Sequence, residues 1–361
     1  MRLLHVDSGR SWRGGQAQVG YLIEGLAALG HNLMLAAPKE APLTAKVRKL
    51  GIATIDFRPR GDLDIGAWLC LSRAVRRFGA DLVHGHSAGA HMAACGAGQV
   101  AGAPVVITRR LDLPIGRGVF SRWKYRNGVT RYVAISRCVA RSLEAGGVEP
   151  ERIRVVYSGV PVNDVPLASN TEARSAAREA LGLGALDMVA GLVGAMTSQK
   201  GYDLAVAAMA LVTVPLRLVC LGDGPDREAI EKQVAALNLG SRVVLSGFRS
   251  DVPRLLPAFD FVVAPSRHEG LGTSVLEAMA AALPVVATRV AEFDDMLDGG
   301  AAGRLVGSEN VEELAAAMTF LASDAVARKE LAGRARARAH RYAVSEMVSG
   351  NVRVYDELRR S

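Results

Sequence analysis

Short apolar segments alternate with longer amphipathic ones along nearly the whole chain, and the pattern runs through twice. In the first pass the candidate strands are Arg2–Val6, Asn32–Ala36, Asp81–His84, Val105–Thr108, Arg131–Ile135 and Ile153–Tyr157, with helical stretches such as Ala17–Ala28 and Arg137–Glu144 between them. Asn163–Thr171 holds Pro166, Ser169 and Asn170 with little periodicity and reads as a linker. The pattern then restarts with strands at Met188–Val193, Leu216–Leu221, Val243–Ser246, Phe261–Ala264, Val285–Ala287 and Gly303–Val306. Helices are expected between these at Tyr202–Leu211, Arg227–Leu237 and Ser274–Ala282. Alternation of this kind specifies parallel sheets covered by helices on both faces. The fold class is therefore α/β, with two Rossmann-like doubly wound domains. Ligands are expected at the carboxyl ends of the strands and in a cleft that the two domains face.

The 361 residues suit roughly two domains, and 50% hydrophobic with 22% charged residues excludes both a disordered chain and a membrane bundle. The longest stretch free of Asp, Glu, Lys and Arg, Leu82 to Thr108, contains histidines, glycines and Pro104 and does not suit a membrane span. Cys70, Cys95, Cys138 and Cys220 lie far apart without metal-ligand spacing and are expected to be reduced and buried. The first residues read as a strand rather than a signal peptide, so a cytoplasmic location is expected.

The net charge of +8 is unevenly spread. Met1 to Asn163 carry 23 Lys+Arg against 11 Asp+Glu, and the remainder 21 against 25. The first half thus fits a polyanionic partner, such as phosphate-rich lipid, an anionic membrane surface or nucleic acid.

The most informative segment is His268-Glu269-Gly270-Leu271-Gly272-Thr273-Ser274-Val275-Leu276-Glu277, directly after the strand Phe261–Ala264. Glycines in a strand-to-helix turn expose backbone N–H groups at a helix N-terminus, which attracts anions. Carboxylates beside a phosphate would repel it, so Glu269 and Glu277 fit a role accepting hydrogen bonds from sugar or ribose hydroxyls. A capping box, Ser274 with Glu277 three residues on, would explain Glu277 but neither Glu269 nor the glycines. Asp62-Leu63-Asp64 resembles a metal-binding DxD but stands beside glycines in a turn-like context, and reads as turn or helix-start chemistry.

The Glu269–Glu277 segment resembles the E-x7-E signature of glycosyltransferase family 4, the retaining GT-B enzymes that use nucleotide sugars, here of bacterial cell-envelope type. Arg13-Gly14-Gly15-Gln16 resembles the family's N-terminal glycine loop, and Asp81-Leu82-Val83-His84-Gly85-His86 its D-[IV]-[IV]-H-x-H strand. Ala134-Ile135-Ser136, Tyr157-Ser158-Gly159-Val160, Leu221-Gly222-Asp223-Gly224-Pro225, Ser246-Gly247-Phe248 and Ala282-Leu283-Pro284-Val285-Val286-Ala287 extend the likeness over nearly the whole chain. The resemblance implies an acceptor-binding domain at 1–163, a nucleotide-sugar domain at 164–343, and a last helix within 344–361 that crosses back to the first domain. It further implies that Glu277 holds the ribose, that Glu269 contacts the donor sugar, and that the amides of Gly270, Leu271, Gly272, Thr273 and Ser274 bind sugar or diphosphate. Phe248 and Arg249 would lie where the base is read, and Gly14 and Gly15 where the N-terminal loop nears the diphosphate. Lys200, in Ser198-Gln199-Lys200-Gly201, would offset charge on the leaving diphosphate, work otherwise done by a metal.

Two departures from the family pattern stand out. Gly194-Ala195-Met196 replaces the usual GRL, leaving Arg289 or Arg267 as candidates for the missing arginine. Arg109-Arg110 stand where many members carry a histidine after the strand, leaving His84, His86 and His91 nearby. The basic run continues through Arg117, Arg122, Lys124 and Arg126 with Phe120 and Trp123 interleaved, a mixture suited to a phosphorylated acceptor or an anionic membrane.

The expectation is thus a metal-independent, retaining glycosyltransferase that needs no cofactor. It would move a sugar from a nucleotide sugar, UDP-linked in preference to GDP- or ADP-linked, to an anionic glycan, lipopolysaccharide or lipid-linked acceptor. Peripheral contact with the cytoplasmic face of the inner membrane is part of that expectation. A nucleotide-sugar epimerase of the same fold and a basic nucleic-acid-binding protein are the alternatives. No nucleic-acid module signature is present, and no GxGxxG follows the first strand to support a dehydrogenase.

Overall fold

The computed structural model describes residues 1–12, 14–110, 115–116 and 118–360. Internal contacts divide the chain into one unit of Met1–Gly159 with Val344–Ser361 and a second of Val160–Ala343.

The first unit is built on a seven-stranded sheet. Its strands are β1 (Arg2–Val6), β2 (Asn32–Ala37), β3 (Ala53–Asp56), β4 (Leu82–Gly85), β5 (Val105–Arg109), β6 (Arg131–Ala134) and β7 (Ile153–Val155). They lie in the order β3-β2-β1-β4-β5-β6-β7, all parallel. Helices cover both faces, so β1 and β4 are buried runs rather than alternating ones. The core gathers Leu3, Ile23, Leu35 and Val106 with Val348 and Tyr355 of the last helix, Val344–Arg360. That helix packs against Gly14–Ala28, where a Cβ on Gly25 would fall 2.4 Å from Val348 Cγ2.

The second unit repeats the plan with β8 (Val189–Val193), β9 (Arg217–Leu221), β10 (Val243–Leu245), β11 (Phe261–Ala264), β12 (Val285–Thr288) and β13 (Arg304–Val306). The order is β10-β9-β8-β11-β12-β13, again all parallel. Leu218, Phe261, Val286 and Met318 are among its core residues. In each sheet the winding direction reverses once, between β1 and β4 and between β8 and β11. The connections diverge there and leave a crevice at the strands' carboxyl ends.

Three local expectations change. The edge strand β3 has no counterpart in the hydrophobic pattern, because Ala53 and Asp56 at its ends are exposed and only two residues between them are partly covered. Helix Thr273–Ala280 starts one residue before Ser274 and is capped by the left-handed backbone of Gly272 with no side-chain cap bond, so the capping box does not form. Cys95 and Cys220 are buried and Cys138 is partly so, but Cys70 is exposed on the outer face of helix Ile65–Phe78. Asp64 does start that helix, accepting from Ala67 N at 2.9 Å. Among the described residues no helix is long and apolar enough to cross a membrane.

Candidate active site

Two loops at the carboxyl edge of the second sheet build the site, following β8 and β11. Gly201 shows why the first must pass so close to the second. Its φ is +65°, and a Cβ there would fall 2.0 Å from the Pro265 carbonyl oxygen. Lys200, immediately before it, is thereby set beside the loop after β11. Its ammonium pairs with the carboxylate of Glu269. The same Glu269 oxygen, Oε1, accepts from Ser266 Oγ at 2.8 Å, and only 6% of Glu269 is exposed. Thr288 at the end of β12 donates to the Ser266 carbonyl, so a neighbouring strand fixes the residue that orients Glu269. Gln199 ties the two loops again through its amide to the His268 carbonyl at 2.9 Å.

Beyond Glu269 the chain turns through Gly270, Leu271 and Gly272 into helix Thr273–Ala280. Gly272 has φ +73°, and a Cβ on it would strike Phe293 at 2.4 Å. The turn leaves the amides at the helix start without side-chain caps. Glu277 stands on the same helix with no ion-pair partner among the described residues, and burial pushes its carboxyl up to about 7. Along one strand–turn–helix unit thus lie Glu269, paired with Lys200 of the neighbouring loop, a row of amides without side-chain caps, and Glu277. The amides and Lys200 suit an anionic leaving group, and the carboxylates suit hydroxyl donors.

Phe248 and Arg249 follow β10 at the same edge, and Gly222 N donates to the Gly247 carbonyl at 2.8 Å to hold their loop against the one after β9. Phe248 is 74% exposed. Arg249 is held bidentately by Asp251 at 2.8 and 2.7 Å. Neither residue touches the Lys200–Glu269 pair. Both candidates for the missing arginine are engaged elsewhere: Arg267 with Asp203 and Glu309, and Arg289 with Asp294. The carboxylates around Arg267 hold its guanidinium further toward the charged form. Arg267 therefore staples the loop after β11 instead of reaching for a ligand.

In the first unit Gly14 opens helix Gly14–Ala28, and a Cβ on Gly15 would meet only Arg110 Cδ at 3.6 Å. Gln18 on this helix exchanges two 2.8 Å bonds with the backbone of Gly159, holding the Ser158-Gly159 segment. Several members of the basic run bond within the unit. Arg109 donates to Tyr125 Oη at 2.6 Å and lies over its ring. Lys124 pairs with Asp62 at 2.7 Å, and Arg126 donates to the Gly147 carbonyl. These three side chains thus have partners within the first unit, and Arg126 stays exposed beside its own. Arg13, Asp112, Arg117 and the side chain of Arg122 lie outside the described residues. Arg110 is different: among the described residues it donates to Ser158 Oγ at 3.5 Å, and its buried Nε has no partner there. Burial lowers its guanidinium to about 10, while Asp7 opposes the shift.

His86 is buried, donating to or accepting from His5 at 2.8 Å, and His84 lies between Tyr355 Oη at 2.6 Å and Thr108 Oγ1 at 2.7 Å. Ligand atoms of the three rings lie within 4.8 Å of one another. Burial drives all three to the neutral form. A cation there would have to displace the bonds already made by His84 and would face Arg110. The cluster is better described as the polar pin of the last helix to the first sheet.

Ser266 and Gln199 position the site without any sequence signal of their own. Adjacency to Glu269 and Lys200 was their only clue.

Sequence comparison agrees with this layout. The model of the family described as Glycosyltransferase Family 4 matches residues 12–164, and that described as Glycosyl transferases group 1 matches residues 187–324. The chain is 27% identical over 358 residues to alpha-D-kanosaminyltransferase of Streptomyces kanamyceticus, spanning 86% of this chain and 91% of the relative. It is 29% identical over 199 residues to the lipopolysaccharide core biosynthesis mannosyltransferase LpsB of Rhizobium meliloti (strain 1021), spanning 52% and 56%. The crystal structure of Anabaena Alr3699/HepE in complex with UDP and glucose superposes with a TM-score of 0.86 at 20% identity, covering 99% of this chain and 100% of that one. With its two parallel-sheet α/β domains and its glycine-turn carboxylates, the chain belongs to the family 4, group 1 glycosyltransferases of GT-B fold.

Proposed function

We propose that this glycosyltransferase is retaining and metal-independent, that its donor is a UDP-linked sugar bound by the second unit, and that its acceptor is an anionic cell-envelope glycan, lipopolysaccharide or lipid-linked saccharide bound by the first. The observation that carries the donor assignment is the Lys200–Glu269 pair set beside the uncapped amides of Gly270–Ser274. In the reaction the bond from the sugar's anomeric carbon to the diphosphate breaks, and a bond from that carbon to the acceptor oxygen forms on the same face. The acceptor's proton passes to the departing diphosphate. Lys200 and the amides stabilise the charge that builds on the leaving group, Glu269 orients the sugar hydroxyls, and Glu277 accepts from the ribose. Lys200 supplies a positive charge where a metal would otherwise serve, which supports the metal-independent reading. UDP is favoured by the likeness to the UDP-bound structure. The acceptor class rests on the basic first half and on the likeness to a lipopolysaccharide core enzyme. Peripheral membrane contact belongs to the same reading.

The test is a melting-temperature screen with UDP, GDP, ADP and their sugars, followed by the anomeric configuration of the product by NMR. Stabilisation by UDP and retention at the anomeric carbon are expected. Stabilisation by no nucleotide would refute the donor assignment, and an inverted product the mechanism.

A further inference from the structure

At the carboxyl edge of the first sheet, on the β1–β3 side, a cavity of about 160 Å³ opens between Ser8, Arg10, Arg58, Gly61, Asp62 and Gly89. Arg58 is occupied by Glu40 and Asp56, whereas Arg10 is exposed and has no ion-pair partner among the described residues. The wall at Gly61-Asp62 runs directly into Leu63 and helix Ile65–Phe78. Leu63, Ile65 and Leu69 are 66%, 64% and 45% exposed, three large aliphatic side chains within seven residues. Single exposed aliphatics are common on soluble proteins, but here Ile65, Leu69, Arg73 and Arg77 follow helical spacing on one outward face, while Arg76 donates to the Val100 carbonyl at 2.5 Å. Leu71, Ser72 and Val75 are the residues this helix buries. The helix contains no acidic residue. Asp62, at the cavity wall, is neutralised by Lys124, and Trp123 beside that lysine is 49% exposed. An apolar tip followed by arginines whose stems can lie along a surface is complementary to an anionic lipid leaflet.

We propose that the ridge Leu63–Ile65–Leu69 with Arg73 and Arg77 seats on an anionic bilayer, which brings the Arg10 cavity to headgroup level and makes the acceptor a bilayer-borne amphiphile with a polar or anionic head. The inference rests on the first unit being the acceptor side, and it relocates the membrane contact from the 109–126 run to this helix. It sets the acceptor apart from small water-soluble acceptors.

The test is co-sedimentation of the full chain with vesicles of phosphatidylcholine alone and of phosphatidylcholine containing one part in three phosphatidylglycerol, with UDP-induced melting shifts measured on the same samples. The wild type is expected to sediment only with the anionic vesicles. Leu63→Ser/Ile65→Ser/Leu69→Ser, all at exposed positions, is expected to lose more than about tenfold in vesicle affinity. Arg73→Gln/Arg77→Gln is expected to lose about fivefold per arginine. Both variants should melt as the wild type does and keep its UDP shift. A wild type that stays in the supernatant with both vesicles would overturn the proposal, as would a triple variant that sediments like the wild type. Loss of binding in the arginine variant alone would overturn it too, since charge without insertion needs no ridge. Vesicle binding without any UDP shift would instead refute the donor assignment and leave this surface supported.

Discussion

Replacing Glu277 with glutamine is expected to stabilise the protein above neutral pH and to weaken its hold on nucleotide. Burial raises this carboxyl from 4.5 to about 7. The folded state therefore keeps a proton that the unfolded chain gives up between these values. That contribution to stability is present in full below pH 4.5 and is lost as the pH rises toward 7. At about 1.36 kcal/mol per pKa unit, the wild type carries a penalty of about 3 kcal/mol at pH 8 that glutamine does not. For a unit the size of Val160–Ala343 this corresponds to a melting temperature about 6–12 °C higher in Glu277→Gln at pH 8, shrinking to nothing near pH 4.5. The same carboxylate is the group proposed to accept from the ribose hydroxyls. UDP affinity of the wild type should therefore rise between pH 6 and 8, and in the variant it should be lower by about tenfold at pH 8. Calorimetric melting from pH 4.5 to 8.5, with and without UDP, checks both parts. Parallel melting profiles for the two proteins, or a variant less stable at pH 8, would refute the reasoning.

Other perturbations follow from the same geometry. Lys200→Ala and Glu269→Ala are each expected to lower the rate of sugar transfer by about 10²–10³ without unfolding the protein, and more than half of wild-type turnover in both would remove their assigned roles. Transfer in excess EDTA should stay within about twofold of the untreated rate, whereas recovery only on adding a divalent ion would count against Lys200 as the leaving-group cation. Gly201→Ala places a Cβ 2.0 Å from a backbone oxygen at φ +65° and should cost about 2 kcal/mol or more in stability, read as a lower melting temperature. An unchanged melting temperature would show that the loops after β8 and β11 are not held together there.

Much of the architecture was legible because its signals are local. Buried parallel strands such as Phe261–Ala264 read as apolar runs, and the glycine turn after it announced itself by composition. The spacing of Glu269 and Glu277 survives in the fold as a loop residue and a helix residue of one strand–turn–helix unit. What stayed hidden depends on partners distant in sequence. Nothing near Lys200 shows that its ammonium will meet a carboxylate 69 positions away. Lys124 and Arg109 read as an open basic surface because Asp62 and the Tyr125 hydroxyl had not yet been brought to them. Arg267 looked available for the same reason. The strand β3 escaped because an exposed edge needs little hydrophobicity, and the helix start at Thr273, one residue before the expected Ser274, because the left-handed backbone of Gly272 begins it without any side-chain cap. Cys70 shows the same limit: a hydrophobic-looking stretch, Trp68-Leu69-Cys70-Leu71, buries one side and turns Leu69 and Cys70 outward.

The claim on which the account turns is that nucleotide is held at the carboxyl edge of the second sheet, by the loops after β8 and β11. Amide hydrogen exchange of the intact protein with and without saturating UDP reads this directly. Slowed exchange is predicted in 194–202 and 266–280. Protection confined to the first unit's 8–16 loop, with those two segments unchanged, would contradict it.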